Sequence, residues 1–133
     1  VLFDLCPLEV IFQQAKTAKI AIEIYLYENL KKLVQQNKPT GCMLVTATMN
    51  CSQEHAPIQH DLLLKRQQVK ENIYQRLQQG VKEGDLNPHA NIQAMTDYYS
   101  TVIQGLTMQA RDGVSAEQLQ SVVTLAIKTW ELF

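Results

Sequence analysis

The stretch that decides the fold is Gly84-Asp85-Leu86-Asn87-Pro88, together with a second stretch, Arg111-Asp112-Gly113-Val114-Ser115. A glycine at the end of a helical run stops the helix in a left-handed conformation, and Pro or Ser begins the next one. The two signals therefore divide the C-terminal part into two helical segments with almost no loop between them. Helices joined by so short a link lie antiparallel, so a C-terminal helical hairpin is expected.

The composition is that of one domain, over residues 1–133, with apolar surface left over. Hydrophobic residues make up 46% of the chain and charged residues 19%, against a usual charged fraction of about 25%. The net charge of −1 gives no positive field that would attract nucleic acid. We therefore expect the spare apolar surface to meet a partner or a ligand.

The three cysteines, Cys6, Cys42 and Cys51, are an odd number without paired spacing. This favours a reduced, cytoplasmic setting. The longest uncharged stretch, residues 39–53, is too short and too polar to span a membrane, and no signal peptide is evident. Because the chain begins at Val1 rather than Met, we also expect it to be a fragment.

Three helical segments are predicted before the hairpin. The first, residues 7–36, carries one continuous apolar stripe at helical spacing. The second, residues 41–51, has no charge, which is typical of a helix buried on all sides, although its β-branched residues leave a strand open. The third, residues 58–81, has an apolar face and a solvated side to which we assign Arg76 and its charged neighbours.

The hairpin itself has recognisable helix starts. Asn87 is expected to cap the fourth helix, with Pro88 at its first position, and Ser115 with Gln118 forms a capping box for the fifth. Gly105, in the middle of the fourth helix, is expected to allow close approach of another helix, since glycine there costs about 1 kcal/mol relative to alanine.

The predicted fold is all-α: an antiparallel bundle of five to six helices. The last two helices carry apolar residues over a wide arc, so we expect two copies of the hairpin to form a four-helix bundle across a two-fold axis. How these residues divide between the chain's own core and the partner stays open. The predicted interface residues are Leu106, Leu119, Val122, Val123, Ala126 and Trp130.

The order and spacing of several motifs resemble the C-terminal domain of TetR-family transcriptional repressors. These motifs are Gly80–Leu86, Gly105-Leu106, Ala110–Gly113 and the closing Leu119 and Trp130. Gly41-Cys42 is similar to a common start of the short central helix in that family, and Val1–Cys6 to the stretch that leads out of the DNA-binding domain. The family's N-terminal helix-turn-helix domain has no counterpart in this sequence.

The resemblance implies a ligand-responsive homodimer that binds a palindromic operator only through a helix-turn-helix domain upstream of this chain. It also implies that an apolar or amphipathic effector enters between the first four helices, so that the first helix tilts and the affinity for DNA falls. Tyr, Met and small polar side chains would line that site, although the same residue types also serve as core filler. The predicted ligand-binding residues are Ile22, Tyr25, Met43, Ala47, Asn50, Tyr74, Tyr98 and Val102.

Catalysis and metal binding have weak support. The carboxylates have no paired spacing, and neither a phosphate-binding loop nor a nucleophile elbow occurs. Cys51 and His55 are four residues apart, but Pro57 separates them from His60, so a structural cysteine and loop histidines are the simpler interpretation. We predict no enzyme activity, no cofactor and no metal; a stand-alone helical adaptor is the main alternative to a regulator, and a small helical enzyme a lesser one.

Overall fold

The computed structural model describes residues 8–35 and 56–133. Within these ranges it has five α-helices and no β-strand, which confirms the predicted all-α class. None of these helices is both long and apolar enough to cross a membrane.

The predicted second segment, with Met43, Ala47 and Asn50, lies outside the described residues, as does the Cys51–His55 pair. The helices are α1 (Leu8–Gln14), α2 (Ala18–Gln35), α3 (Ala56–Lys82), α4 (Ile92–Arg111) and α5 (Ala116–Lys128), followed by a 3-10 turn, Thr129–Leu132.

Helix α2 is central to the described part of the chain, because it packs against each of the other four helices. Its buried face begins with two small residues, Ala18 and Ala21, and continues with Ile22 and Leu26. Small side chains let neighbouring helices approach closely at the start of α2, and the larger ones fill the core further along. The described core therefore includes α2 as well as the C-terminal hairpin.

The hairpin of α4 and α5 is antiparallel, as predicted. The Tyr99 hydroxyl, near the start of α4, donates to the carbonyl of Ala126, near the end of α5, at 3.0 Å. Gly84 and Gly113 have φ values of 84° and 88°. After each glycine, the next N–H bonds back to the carbonyl five residues earlier, Asp85 to Gly80 and Val114 to Gln109. Both glycines thus end their helices in the Schellman motif that the sequence indicated.

Two helix starts differ from the prediction. The first segment is not one helix, since α1 ends at Gln14 and α2 begins at Ala18, where the Thr17 hydroxyl accepts the N–H of Ile20 at 3.2 Å. The fourth helix begins at Ile92 instead of Pro88, and its cap is Asn91 instead of Asn87. The Asn87 side chain accepts the N–H of His89 at 2.9 Å, a local turn that delays the helix by one turn. Ser115 does cap α5, accepting the N–H of Gln118 at 3.2 Å.

We expect Tyr99→Phe to lower the free energy of unfolding by about 1 kcal/mol, because the buried Ala126 carbonyl would lose its side-chain donor. The Tyr99 ring is 1% exposed and burial raises the pKa of its hydroxyl, so it stays a protonated donor at all ordinary pH values. Urea unfolding measures the change. Tyr27→Phe, at a position 42% exposed, is the matched control; an equal loss in both variants would contradict the prediction.

Candidate functional site

The junction between α1 and α2 is held by Arg76 of α3. The Arg76 side chain is 4% exposed. Its Nε donates to the carbonyl of Phe12 at 3.2 Å, and its Nη2 donates to the carbonyl of Ala15 at 3.3 Å. These carbonyls belong to the last turn of α1 and to the break after it, where helical partners are missing. Arg76 therefore replaces the helix hydrogen bonds that are lost at the break.

Asp85 and Gly80 hold the other side of the same junction. The Asp85 carboxylate accepts the N–H of Ala18, the first residue of α2, at 3.3 Å. A negative charge at a helix start is favourable because it meets the positive end of the helix dipole. Gly80 makes room for this contact, since a Cβ there would lie 2.7 Å from the Cβ of Ala18. The end of α3 and its turn thus fix where α2 begins.

Arg76 was predicted to be solvated, and that prediction is wrong. The residue lies three positions after Ile73 and four before Gly80, both buried. That spacing is the one that places residues on a single helix face. The periodicity therefore contained the information, but the charge of the side chain argued against burial. The carbonyls of Phe12 and Ala15, which lack helical partners at the end of α1 and in the break after it, explain why a charged group occupies this face.

The predicted ligand-binding residues on the described helices fall into separate groups. Ile22 and Tyr25 are buried on α2, and the Tyr25 ring packs edge-on against Phe12, with centroids 5.9 Å apart. Tyr74 on α3 is half-buried. Tyr98 is bound to the C-terminal turn: its hydroxyl donates to Thr129 Oγ1 at 3.3 Å, and its ring lies 6.2 Å from that of Phe133.

Tyr98 and Val102 lie on the side of α4 that faces the C-terminal turn. Val102 is four residues after Tyr98, so it shares that side, and it is partly buried against the core. Tyr98 contacts the C-terminal turn, whereas Tyr25 contacts Phe12 of α1. The sequence-based prediction grouped these tyrosines by residue type. Residue type alone does not show which face of a helix a side chain occupies.

The described interior contains a small set of polar side chains that the prediction missed. Besides Arg76, the buried polar residues are Asn29 on α2 and Thr96, Ser100 and Thr107 on α4. The amide nitrogen of Asn29 donates to the carbonyl of Tyr25 at 2.8 Å. For Ser100 and Thr107, the signal in the sequence was the absence of charge between Asp97 and Arg111, which is typical of a largely buried helix. Asn29 and Thr96 lie outside that stretch.

The predicted dimer residues are mostly covered by the chain itself. Leu106, Leu119, Val123, Ala126 and Trp130 are each at most 8% exposed and belong to the hydrophobic core of the single chain. Val122, in contrast, is 44% exposed. The exposed surface of α5 also includes Leu125, at 65%, which the prediction did not include. An interface on the hairpin would therefore use Val122 and Leu125 directly, with the five buried residues beneath them.

Gly105 lies in the second half of α4. It is exposed, and a Cβ built on it would meet nothing within 4 Å among the residues described. The predicted close approach of another helix therefore does not come from within the described part of this chain.

An ion pair joins two helices of the described part of the chain, α3 and α4. Lys70 of α3 and Asp97 of α4 form an ion pair with a distance of 2.7 Å at the surface. Hydrogen bonds from Lys70 and then Gln93 lower the pKa of the Asp97 carboxyl. Within residues 8–35 and 56–133, no three His, Cys, Asp or Glu side chains are grouped to hold a metal ion. The ion pair links α3 to α4, and an exposed pair of this kind contributes little to stability.

A model of the family described as "Tetracyclin repressor-like, C-terminal domain" matches residues 24–126. Among curated proteins, the HTH-type transcriptional repressor ComR of Escherichia coli (strain K12) is 22% identical over 120 residues. That alignment covers 90% of this chain and 57% of ComR. The chain thus spans little more than half the length of this relative.

Solved structures of TetR-family regulators are also similar to this chain. The TetR family transcriptional regulator CifR, as a cysteine mutant with 26-base-pair operator DNA, matches with a TM-score of 0.86 and 26% identity. A putative TetR transcriptional regulator from Rhodococcus sp. RHA1 matches with a TM-score of 0.79 and 25% identity. Each match covers 92% of this chain and 64% of the solved chain.

Proposed function

We propose, from the premise that this chain belongs to the family of TetR-type regulators as their C-terminal domain, that it senses a small effector and forms a homodimer. The full protein would be a transcriptional repressor that binds a two-fold symmetric operator through a helix-turn-helix domain upstream of residue 1. Such a regulator acts in the cytoplasm. The match of the family model to residues 24–126 is the observation that carries this proposal.

The hairpin of α4 and α5 is the proposed dimer surface. Val122 and Leu125 expose apolar side chains there, and the space beside Gly105 is open. Two-fold symmetry brings the same patch of each copy together, so one modest apolar surface is buried twice. Leu106, Leu119, Val123, Ala126 and Trp130 then support the interface from the core below it. Dimerisation places the two upstream DNA-binding domains at a fixed separation, which half-site recognition requires.

The junction at Arg76 is the proposed link between effector and DNA. Helix α1 lies at the N-terminal side of the domain and precedes α2, and its last carbonyls are held by α3 through Arg76. An effector that binds one arrangement of α2, α3 and α4 more tightly than another shifts the population toward it. A movement of α3 would be transmitted to α1 through Arg76 and would change the spacing of the two DNA-binding domains.

Val122→Glu is expected to raise the dimer dissociation constant at least tenfold, because two like charges would meet near the axis and lose water. Sedimentation equilibrium on this chain measures the constant. Ile24→Glu is the matched control, since Ile24 is exposed to a similar degree, 39%, but lies on α2. A wild-type chain that stays monomeric, or an equal effect of both variants, would contradict the proposed interface.

The DNA-binding part of the proposal needs the full-length protein. Selection of bound duplexes from a random pool should recover a site with two-fold symmetry, and Val122→Glu should weaken binding to the symmetric site more than to one half-site. Ile24→Glu should leave both affinities unchanged. Recovery of no symmetric sequence by the full-length protein would sink the repressor proposal, whether or not the chain dimerises.

A further inference from the structure

Two hydroxyl groups inside the domain lack a hydrogen-bond partner. Thr96 and Ser100 lie one turn apart on α4, with exposed fractions of 1% and 6%. Neither Thr96 Oγ1 nor Ser100 Oγ has a partner within the described ranges 8–35 and 56–133. Burying a hydroxyl without a partner is unfavourable, so two such groups side by side need a reason.

Other hydroxyls on the same helix show that helix geometry is not the reason. Thr101 donates to the carbonyl of Asp97 at 2.7 Å, and Thr107 donates to the carbonyl of Ile103 at 2.9 Å. Threonine and serine commonly satisfy themselves in this way inside a helix. Thr107 is as buried as Thr96, at 3% exposed. The hydroxyls of Thr96 and Ser100 are oriented differently, and their hydrogen-bonding capacity remains available to a third group.

The pair lies on the side of α4 that is turned away from Tyr98. Each helix residue turns by about 100°, so both hydroxyl residues lie about 160–200° around α4 from Tyr98. Tyr98 packs against the C-terminal turn. The Lys70–Asp97 ion pair shows that α3 runs beside this part of α4, and α2 packs against both α3 and α4.

The chemistry of the described interior points to an uncharged ligand. The buried side chains of Thr96, Ser100, Thr107 and Asn29 are neutral. Arg76 Nη1 and Asp85 Oδ1 are also buried without a partner, but they belong to two side chains of opposite charge that hold the start of α2. A buried charge without a partner is strongly unfavourable. Hydroxyl groups both donate and accept, so they suit a ligand with a hydroxyl or carbonyl group. The rest of the ligand would meet the apolar side chains of the core.

We infer that Thr96 and Ser100 form the hydrogen-bonding end of an effector site between α2, α3 and α4, and that its ligand is a small uncharged molecule with an apolar body and one hydroxyl or carbonyl group. This inference rests on the proposed sensing function and names the ligand class and two residues for it.

The ligand-free protein provides the first test. Thr96→Val removes an unpaired hydroxyl and keeps the shape, so we expect it to raise the midpoint of thermal unfolding by about 3 °C. Thr107→Val, on the same helix and equally buried, removes a satisfied hydroxyl and should lower the midpoint by a similar amount. If Thr96→Val lowers the midpoint as Thr107→Val does, the Thr96 hydroxyl has a structural partner and the inference is overturned.

Binding provides the second test, with 1-octanol, 2-octanone and octanoate as probes in calorimetric titrations. Wild-type protein should bind the alcohol and the ketone at least tenfold more tightly than the carboxylate. The double variant Thr96→Val with Ser100→Ala should lose at least tenfold in affinity for 1-octanol, and Thr107→Val should not. Equal binding of all three probes, no binding of any, or unchanged affinity in the double variant would overturn the inference. Dimerisation and operator binding would be unaffected by these outcomes, so they are judged separately.

Discussion

Arg76→Met is expected to lower the free energy of unfolding by about 3 kcal/mol. Methionine keeps much of the volume of the side chain but donates no hydrogen bond, so the carbonyls of Phe12 and Ala15 lose their charged donor in a buried place. A hydrogen bond to a charged group contributes about 1.5–3 kcal/mol, and two are lost here. Removing the buried charge itself offsets part of this loss. Urea unfolding followed by circular dichroism measures the change.

The loss of stability in Arg76→Met should be confined to the junction between α1 and α2. This distinguishes the proposed role of Arg76 from a general contribution to core packing. Amides of α1 and the first turn of α2 should exchange faster with solvent, while those in α4 and α5 keep their protection, because the Tyr99–Ala126 bond does not depend on Arg76. Lys65→Met, an exposed change on the same helix, should alter neither property. A uniform rise in exchange across all helices would show that Arg76 acts on the whole core and not on the junction.

The hairpin could be predicted because its determinants are local. Gly84 and Gly113 stop their helices through a backbone conformation that glycine adopts at little cost, and Ser115 caps the next helix from three residues away. These interactions span at most five residues, so the sequence displays them directly. The antiparallel arrangement then follows from the short link, without knowledge of the rest of the fold.

The junction could not be predicted because its determinants are distant. The bond from Arg76 to Phe12 joins residues 64 positions apart, and the bond from Ala18 to Asp85 joins residues 67 apart. A break after Gln14 costs hydrogen bonds that only this tertiary contact replaces. From the sequence alone, one uninterrupted helix through Thr17 is expected to have the lower free energy, because it keeps those hydrogen bonds. The stripe of apolar residues continues across the break, which hides it further.

The site residues show the same division. The spacing of apolar residues along α2 is enough to explain why Ile22 and Tyr25 are buried in the structure. In contrast, the contact of Tyr98 with the C-terminal turn depends on the rotation of α4 about its own axis. The hydrogen bond from Tyr99 to Ala126 helps to fix that rotation. Likewise, Val122 and Val123 both belong to the wide apolar arc of the last helix, but only packing decides that Val123 is buried and Val122 is 44% exposed.

Gly80→Ala is expected to lower the free energy of unfolding by about 2 kcal/mol, although the same substitution stabilises an ordinary helix by about 1 kcal/mol. A Cβ at position 80 would lie 2.7 Å from the Cβ of Ala18 and 2.5 Å from Asp85 Oδ1. The carboxylate is the end of a short side chain and can turn, but the Ala18 Cβ is fixed to the helix. Helix α2 must therefore move away from α3, and overpacking of this kind costs about 1–3 kcal/mol.

Two further variants test whether the close approach of Ala18 is the cause. Gly105→Ala, in an open position in the middle of α4, should raise the free energy of unfolding of the monomer by up to about 1 kcal/mol. Ala18→Gly removes the Cβ that Gly80→Ala would meet, so the double variant should be more stable than the sum of the single changes predicts by about 1 kcal/mol. Strict additivity in this cycle, measured by urea unfolding, would mean that Ala18 does not limit the space at Gly80. The defect would then be assigned to Asp85 and to its hold on the first N–H of α2.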